Sequence, residues 1–243
     1  MHVSPSPDHP ESSRALPGLV SDYLAHALPH SRVLPGQIEL TQEGLMWSKP
    51  GAAARPFTAT QHSAVDRVAF EWRARFRMAR VLSLDVVDSY CGGEGSLEVR
   101  LCGRRFQHDD GPETSTGEAL RYLAELPWAP HAMYGNRALR WRAVDATHAE
   151  VHIEPDPSLR VTFEFDAGGD IVRASSGARA LRRKGRWVQA PWAGTFSDYR
   201  ELGGIRMPSS AEVAWDLPEG RYVYWRGRVL SARALSSPFI LER

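Results

Sequence analysis

Lysine is nearly missing from this 243-residue chain: Lys49 and Lys184 are the only two among 30 basic residues, which face 29 acidic ones. The balance leaves a formal net charge of +1, and without a global positive field the sequence offers a polyanion such as nucleic acid no general hold. Cysteine is as scarce. Cys91 and Cys102 flank a Gly-Gly-Glu-Gly stretch, but a hairpin centred there sets Cys91 opposite a residue near Ser96, so neither a disulfide nor a two-cysteine metal site is expected. No run approaches the roughly 20 consecutive apolar residues of a membrane span. The Pro-, Ser- and His-rich start has no apolar core behind a basic segment, so it does not read as a secretory signal, and a cytoplasmic location with reduced thiols is expected. Catalytic signatures are missing too: there is no Gly-x-Ser-x-Gly elbow, Walker phosphate loop, dinucleotide fingerprint or His-Glu-x-x-His helix. No cofactor and no metal are expected, and any catalysis would have to come from scattered residues.

What is present is periodicity. After a tail expected to be disordered over residues 1–13, Leu16, Val20, Tyr23, Leu24, Ala27 and Leu28 recur at helical spacing between Pro17 and Pro29, which predicts one amphipathic helix. Beyond it the period is two. Trp72, Ala74, Phe76 and Met78 alternate with Arg73, Arg75 and Arg77, which predicts a strand with one apolar and one cationic face. Val81 to Tyr90 and Leu97 to Leu101 read as two more strands around a turn at Gly92 to Gly95. Further strands are expected at Leu139 to Trp141, Val151 to Ile153, Val161 to Phe165, from Ile171 after a turn at Ala167 to Asp170, at Val213 to Trp215, and from Tyr222 to Val229 after a turn at Pro218-Glu219-Gly220. One segment breaks the rhythm. From Ser115 to Leu126 the apolar residues keep helical spacing, Ser115 and Glu118 stand as a capping box would, and Pro127 ends the run. The expected fold is mostly β with some α: a single domain over residues 14–243 built on one curved antiparallel sheet or half-barrel of about nine or ten strands, with an N-terminal helix and one inserted amphipathic helix.

Glu118, Arg121, Tyr122, Leu123, Glu125, Trp128 and Pro130 resemble the signature of an uncharacterised bacterial family, a domain of unknown function. The likeness extends upstream through Phe57, Gln61, Phe70, Trp72, Asp88 and Tyr90 and downstream through Trp141, Phe163, Trp192, Arg206 and Trp215. It implies no established activity. The order of elements also resembles, at the level of fold, the half-barrel of bacterial lipoprotein carriers, and that likeness implies a trough able to hold acyl chains.

The inserted helix carries the best site candidate. Arg121 lies three residues after Glu118 and four before Glu125, a spacing that serves either a solvated ladder of ion pairs or an arginine oriented by carboxylates to hold a ligand's acid or phosphate. Glu118 and Glu125 lie ~10 Å apart by helical rise, which is wide for a pair of glycosidase carboxylates. His148, Glu150 and His152 alternate on a strand and read as a plain face, since the outer two are ~13 Å apart. His108, Asp109 and Asp110 read as a hydrophilic loop, and Arg179, Arg182, Arg183, Lys184 and Arg186 as a solubilising patch. The favoured expectation is a non-catalytic protein binding an apolar or amphipathic small molecule, with Arg121 and Tyr122 as polar anchor beside Glu118 and Glu125, and Trp72, Tyr90, Trp128 and Trp141 along the cavity wall. An enzyme acting on a small polar substrate through Glu118 or Glu125 and Arg121 is the second expectation. A module docking a protein partner through a sheet edge or arginine patch is the third.

Overall fold

The computed structural model describes residues 15–28, 33–79 and 82–241. The expected tail over 1–13 and the Pro29 stop lie outside them, as does the side chain of Met78. Among the described residues thirteen strands form one antiparallel sheet, with β1 Gln37–Met46, β2 Arg55–Ala64, β3 Ala69–Ala79, β4 Leu82–Cys91, β5 Glu94–Leu101 and β6 Arg104–Asp109 running outward to one edge. The other wing comprises β7 Leu139–Ala143, β8 His148–Ile153, β9 Asp156–Phe165, β10 Ile171–Arg183, β11 Arg186–Leu202, β12 Ile205–Leu217 and β13 Gly220–Leu235. The spatial order is β6-β5-β4-β3-β2-β1-β13-β12-β11-β10-β9-β8-β7. It is a meander in two wings, as short turns require, joined at the centre where β1 pairs with β13. Three helices are described: α1 Gly18–Ala27 before β1, and α2 Pro112–Ala124 and α3 Pro130–Gly135 between the two edge strands.

The helices fill the trough of the sheet. α2 packs against β4 and β5 in one wing and β9 and β10 in the other. In a flat sheet β4 and β10, with six strands between them, would stand about 34 Å apart at normal strand spacing; a helix of ~10–12 Å diameter can touch both only if the sheet curls around it. Asp109 on edge strand β6 accordingly reaches Arg182 on β10 at 3.7 Å. The inner face of each strand is its buried one, and on β2 Phe57, Ala59, Gln61 and Ser63 point to the helices while Thr58, Thr60 and His62 point away. α1 buries Val20, Tyr23 and Ala27, the stripe its spacing predicts, with the Tyr23 ring edge-on to Phe165 and Tyr199.

Several expectations need correction. The sheet has thirteen strands rather than nine or ten, because β1, β2 and β11 were not expected, β6 occupies the segment read as a hydrophilic loop, and the supposed basic patch is the end of β10 and the start of β11. β6 is exposed from Arg104 to His108, so it carries no alternation to betray it. The turn after β4 is Gly92-Gly93, both with positive φ that glycine adopts without strain. It sets Cys91 opposite Glu94, not near Ser96, which faces Ser89. Both cysteines are free. α2 begins three residues earlier than expected: Ser115 is inside it and accepts a hydrogen bond from the Gly95 amide at 3.0 Å, so the capping box does not form. The helix opens on Gly111-Pro112 without a side-chain cap, and Asp109 tethers this start by accepting from the Gly111 amide at 3.2 Å and the Thr114 hydroxyl at 2.7 Å. α2 ends at Ala124, Pro127 sits in the short 3-10 turn Leu126–Trp128, and α3 follows unpredicted.

A buried ionic cluster between the helix and the sheet

The buried side of α2 brings Glu118, Arg121 and Glu125 against the inner face of β2 to β4. Arg121 donates from Nη1 to Asp88 Oδ2 at 2.5 Å and from Nε to Glu125 Oε1 at 2.8 Å, with Glu118 Oε2 at 3.6 Å from Nη1. The carboxylates of Glu118 and Glu125, a helical rise of ~10 Å apart along the backbone, thus converge on one guanidinium. That guanidinium lies over the rings of Phe70 and Trp72, 5.1 and 4.9 Å from their centroids, an arrangement worth most where water is excluded. A second chain of polar groups supports it from the sheet. Trp72 Nε1 donates to Gln42 Oε1 at 2.9 Å, Gln42 to Gln61 at 3.3 Å, and Gln61 to Glu125 Oε2 at 2.6 Å. Arg121 is not a solvated helix face, and it has no free fork turned to an open cavity.

Arg179 completes the cluster from the opposite wing. It donates to the Gly117 carbonyl at 2.9 Å and approaches Glu118 Oε1 at 3.8 Å, with its guanidinium 4.5 Å from the centroid of Trp192 and 5.7 Å from that of Trp215. The guanidinium lies close over Gly117, where an added methyl group would just touch it at 3.4 Å. Arg179 belonged to the supposed solubilising patch, and a bulge explains the difference. In the β10–β11 register Ser176 faces Trp192 and Arg179 faces Ala190, so β10 spends one residue more than β11 and the side chain that would point outward turns in.

Two guanidiniums therefore share the interior with the carboxyls of Asp88, Glu118 and Glu125, an excess of one negative charge if all ionise. Burial raises the Asp88 carboxyl above its usual range despite Arg121 beside it. Burial, with Asp88 as a like-charged neighbour, raises Glu118 to about 7. A proton held by this pair removes the excess. Burial alone would weaken the Arg121 cation, but Glu125, Asp88 and Glu118 outweigh it and hold the guanidinium protonated. Three atoms of the cluster, Asp88 Oδ1, Glu118 Oε2 and Arg179 Nε, are buried without a hydrogen-bond partner. Two are acceptors and one is a donor, all set between the Phe70–Trp72 and Trp192–Trp215 walls.

The other expected site residues disperse. Tyr122 leaves α2 on another side, donating to the Ala64 carbonyl at 3.2 Å and accepting from Asn136 at 2.9 Å; burial pushes its hydroxyl well above the usual range. Trp128 donates to the Pro208 carbonyl at 2.9 Å and packs edge-on to Phe196. Trp141 donates to the Met133 carbonyl at 3.1 Å and stacks on Phe163 near the β7 edge. Tyr90 is buried opposite Phe70 in the sheet. These rings pack in or against the core, and of the expected ring residues only Trp72 touches the Arg121 guanidinium. His148 and Glu150 pair with Asp145 and Arg142 on the half-buried β8 face. His131 is buried on α3, where desolvation lowers it to about 4, while His108 sits on exposed β6 beside Asp110. Among the described residues no group of three or more potential metal ligands gathers, and no helix is long and apolar enough to cross a membrane.

No curated protein matches the sequence. Among solved structures, a LolA superfamily protein from Nitrosomonas europaea is 10% identical, with 90% of this chain and 93% of that chain covered at a TM-score of 0.45. A putative outer membrane lipoprotein-sorting protein domain from Vibrio parahaemolyticus is 11% identical, covering 82% and 85% at 0.42. A DUF1329 family protein from Desulfovibrio piger is 12% identical, covering 82% and 86% at 0.46. The sequence itself matches the profile of a family of unknown function, DUF6544, over residues 6–227, and the chain belongs to that family.

Proposed function

We propose that the protein is a non-catalytic binder of an apolar or amphipathic small molecule, taken up between α2 and the inner face of the sheet. The observation that carries this reading is the set of unpartnered buried atoms on Asp88, Glu118 and Arg179. Leaving such groups unsatisfied costs roughly 1–3 kcal/mol each, and a ligand end group that both donates and accepts would satisfy them together. Arg121, Glu118 and Glu125 form the polar floor, and the apolar body lies along Trp72, Phe70 and Tyr90. Tyr122, Trp128 and Trp141 act by fixing the helices over the trough. Uptake then requires α2 to lift from the sheet, because the side chains of the cluster close on one another in the form described.

Native mass spectrometry of the purified protein, followed by solvent extraction, is the test. One bound apolar species per chain, or one-to-one uptake of a fluorescent fatty acid, is the expected result. A protein that carries nothing and takes up no such probe would end the reading. A second reading, an enzyme using Glu118 as general base beside Arg121, draws support from the carboxyl raised to about 7. It requires water and substrate to reach that carboxyl, so exchange of the Arg121 guanidinium protons with solvent as slow as that of the sheet's central amides would count against it.

A further inference from the structure

The outer face of the sheet carries a groove of about 940 Å³, on the side away from the helices. Its lining alternates along each strand in the pattern of an outer surface. One row of outward side chains runs in direct register across six strands as Arg75, Thr58, Glu43, Arg228, Ser210 and Ser197. A second row, two residues along, includes Arg77, Pro56, Leu45, Arg226, Glu212 and Thr195. Between the two rows Gly44 and Gly227 pair directly. Neither position accepts a side chain, since a methyl group on Gly44 would lie 2.2 Å from the Arg226 carbonyl and one on Gly227 2.4 Å from the Trp225 ring. Both face inward, in line with Phe57 and Ala211, so the outward lining is the two rows alone, and the groove is about 24 Å long at normal strand spacing.

Three of its four arginines are neutralised locally: Arg75 by Asp85 at 2.6 Å, Arg226 by Glu212 at 2.7 Å and Arg228 by Glu43 at 2.7 Å. Arg77 forms no ion pair with any described residue, so the groove has one uncompensated cation, at its β3 end. The remaining lining offers mixed hydrogen bonding: Arg228–Glu43 and Arg226–Glu212 each present donors and acceptors side by side, and Thr58, Thr195 and Ser197 present hydroxyls. Exposed Leu45 and Pro56 give an apolar patch between Arg77 and Arg226. Every strand of the floor is already paired on both sides. An extended peptide would find no free backbone groups to pair with, and recognition has to come from side chains.

We propose that this groove binds an acidic oligosaccharide. Vicinal hydroxyls both donate and accept, which suits the Arg–Glu pairs and the hydroxyl groups; a ring's C–H face suits Leu45 and Pro56; a single uronate carboxylate suits Arg77. The site is separate from the interior cluster, so neither result bears on the other.

The test is isothermal titration at low salt with a hyaluronan tetrasaccharide, with chitotetraose as the neutral control and inorganic phosphate as the simple anion. One-to-one saturable binding of the acidic tetrasaccharide is expected, at least tenfold tighter than the neutral one. Arg77→Ala should weaken it tenfold or more, and Thr58→Trp, which fills the groove at an exposed position, should abolish it while circular dichroism and Tm stay unchanged. Three outcomes would each overturn the proposal: no saturable binding, binding indifferent to both substitutions, or competition by phosphate at equal concentration.

Discussion

At the scale of single residues, the chemistry of this protein is concentrated in five buried or half-buried side chains whose charges nearly cancel. Glu118 sets the pH response. Its folded-state pKa of about 7 exceeds the ordinary 4.5, so the folded state holds a proton that the unfolded state releases. The contribution of Glu118 to stability is then greatest below pH 4.5, falls as pH rises towards 7, and levels off above, with a total loss of at most about 3 kcal/mol; the raised Asp88 acts with the same sign. Glu118→Gln should flatten that decline. The check is Tm measured from pH 5 to 8, and parallel curves for the two proteins would refute the assignment. Arg121→Ala removes the cation on which all three acids converge and should cost roughly 3–5 kcal/mol, as breaking a buried pair does, read by urea denaturation at pH 8. These residues were partly legible in the sequence. The spacing of Glu118, Arg121 and Glu125 placed them together, but helical spacing cannot tell a buried face from a solvated one. Asp88 and Gln61 stood out only through family likeness, and Arg179 was hidden because a bulge reverses the face a strand residue occupies.

At the scale of elements, the sequence speaks where one face is apolar and the other polar, and falls silent elsewhere. α1 and β3 were readable because their stripes are clean. β6 was not, since an edge strand exposed along its length has no alternation, and charged residues there are what keep such an edge from pairing with other chains. The start of α2 was misplaced for a different reason: the helix opens on Gly111-Pro112 with no side-chain cap, so the capping pattern at Ser115 pointed to the wrong turn. Asp109→Ala removes the hydrogen bonds that tie the start of α2 to β6 and should destabilise the protein by about 1–2 kcal/mol, whereas Ser115→Ala should weaken the contact with Gly95 without fraying the helix. Amide exchange at Ser115 and Thr116 separates the two, because only the Asp109 substitution should speed it. Gly44→Ala tests the centre of the sheet in the same way. A clash with the Arg226 carbonyl leaves no rotamer to escape into, and a loss on the order of 2–3 kcal/mol is expected from forced backbone shifts.

At the scale of the whole molecule, the seam between β1 and β13 lies at the middle of the sheet, and the strands at its rims, β6 and β7, come from the middle of the chain. Cooperative protection should follow this geometry: β1, β12 and β13, paired on both sides and covered by the core, should exchange their amides most slowly, and β6 and β7 fastest. Equal protection of β6 and β13 would contradict it. A curved antiparallel sheet around an inserted helix was legible from the two-residue rhythm and its one interruption; the central seam was not, because nothing in a strand's own sequence names a partner almost two hundred residues away. That seam has a practical consequence. A single cut between α3 and β7 would divide the polypeptide into one fragment bearing α1, β1 to β6 and both trough helices, and another bearing β7 to β13. Each fragment would keep its own meander intact, and the two would have the β1–β13 pairing and the packing of the helices on β7 to β13 to find, which makes this protein a natural candidate for reassembly from two separately expressed pieces.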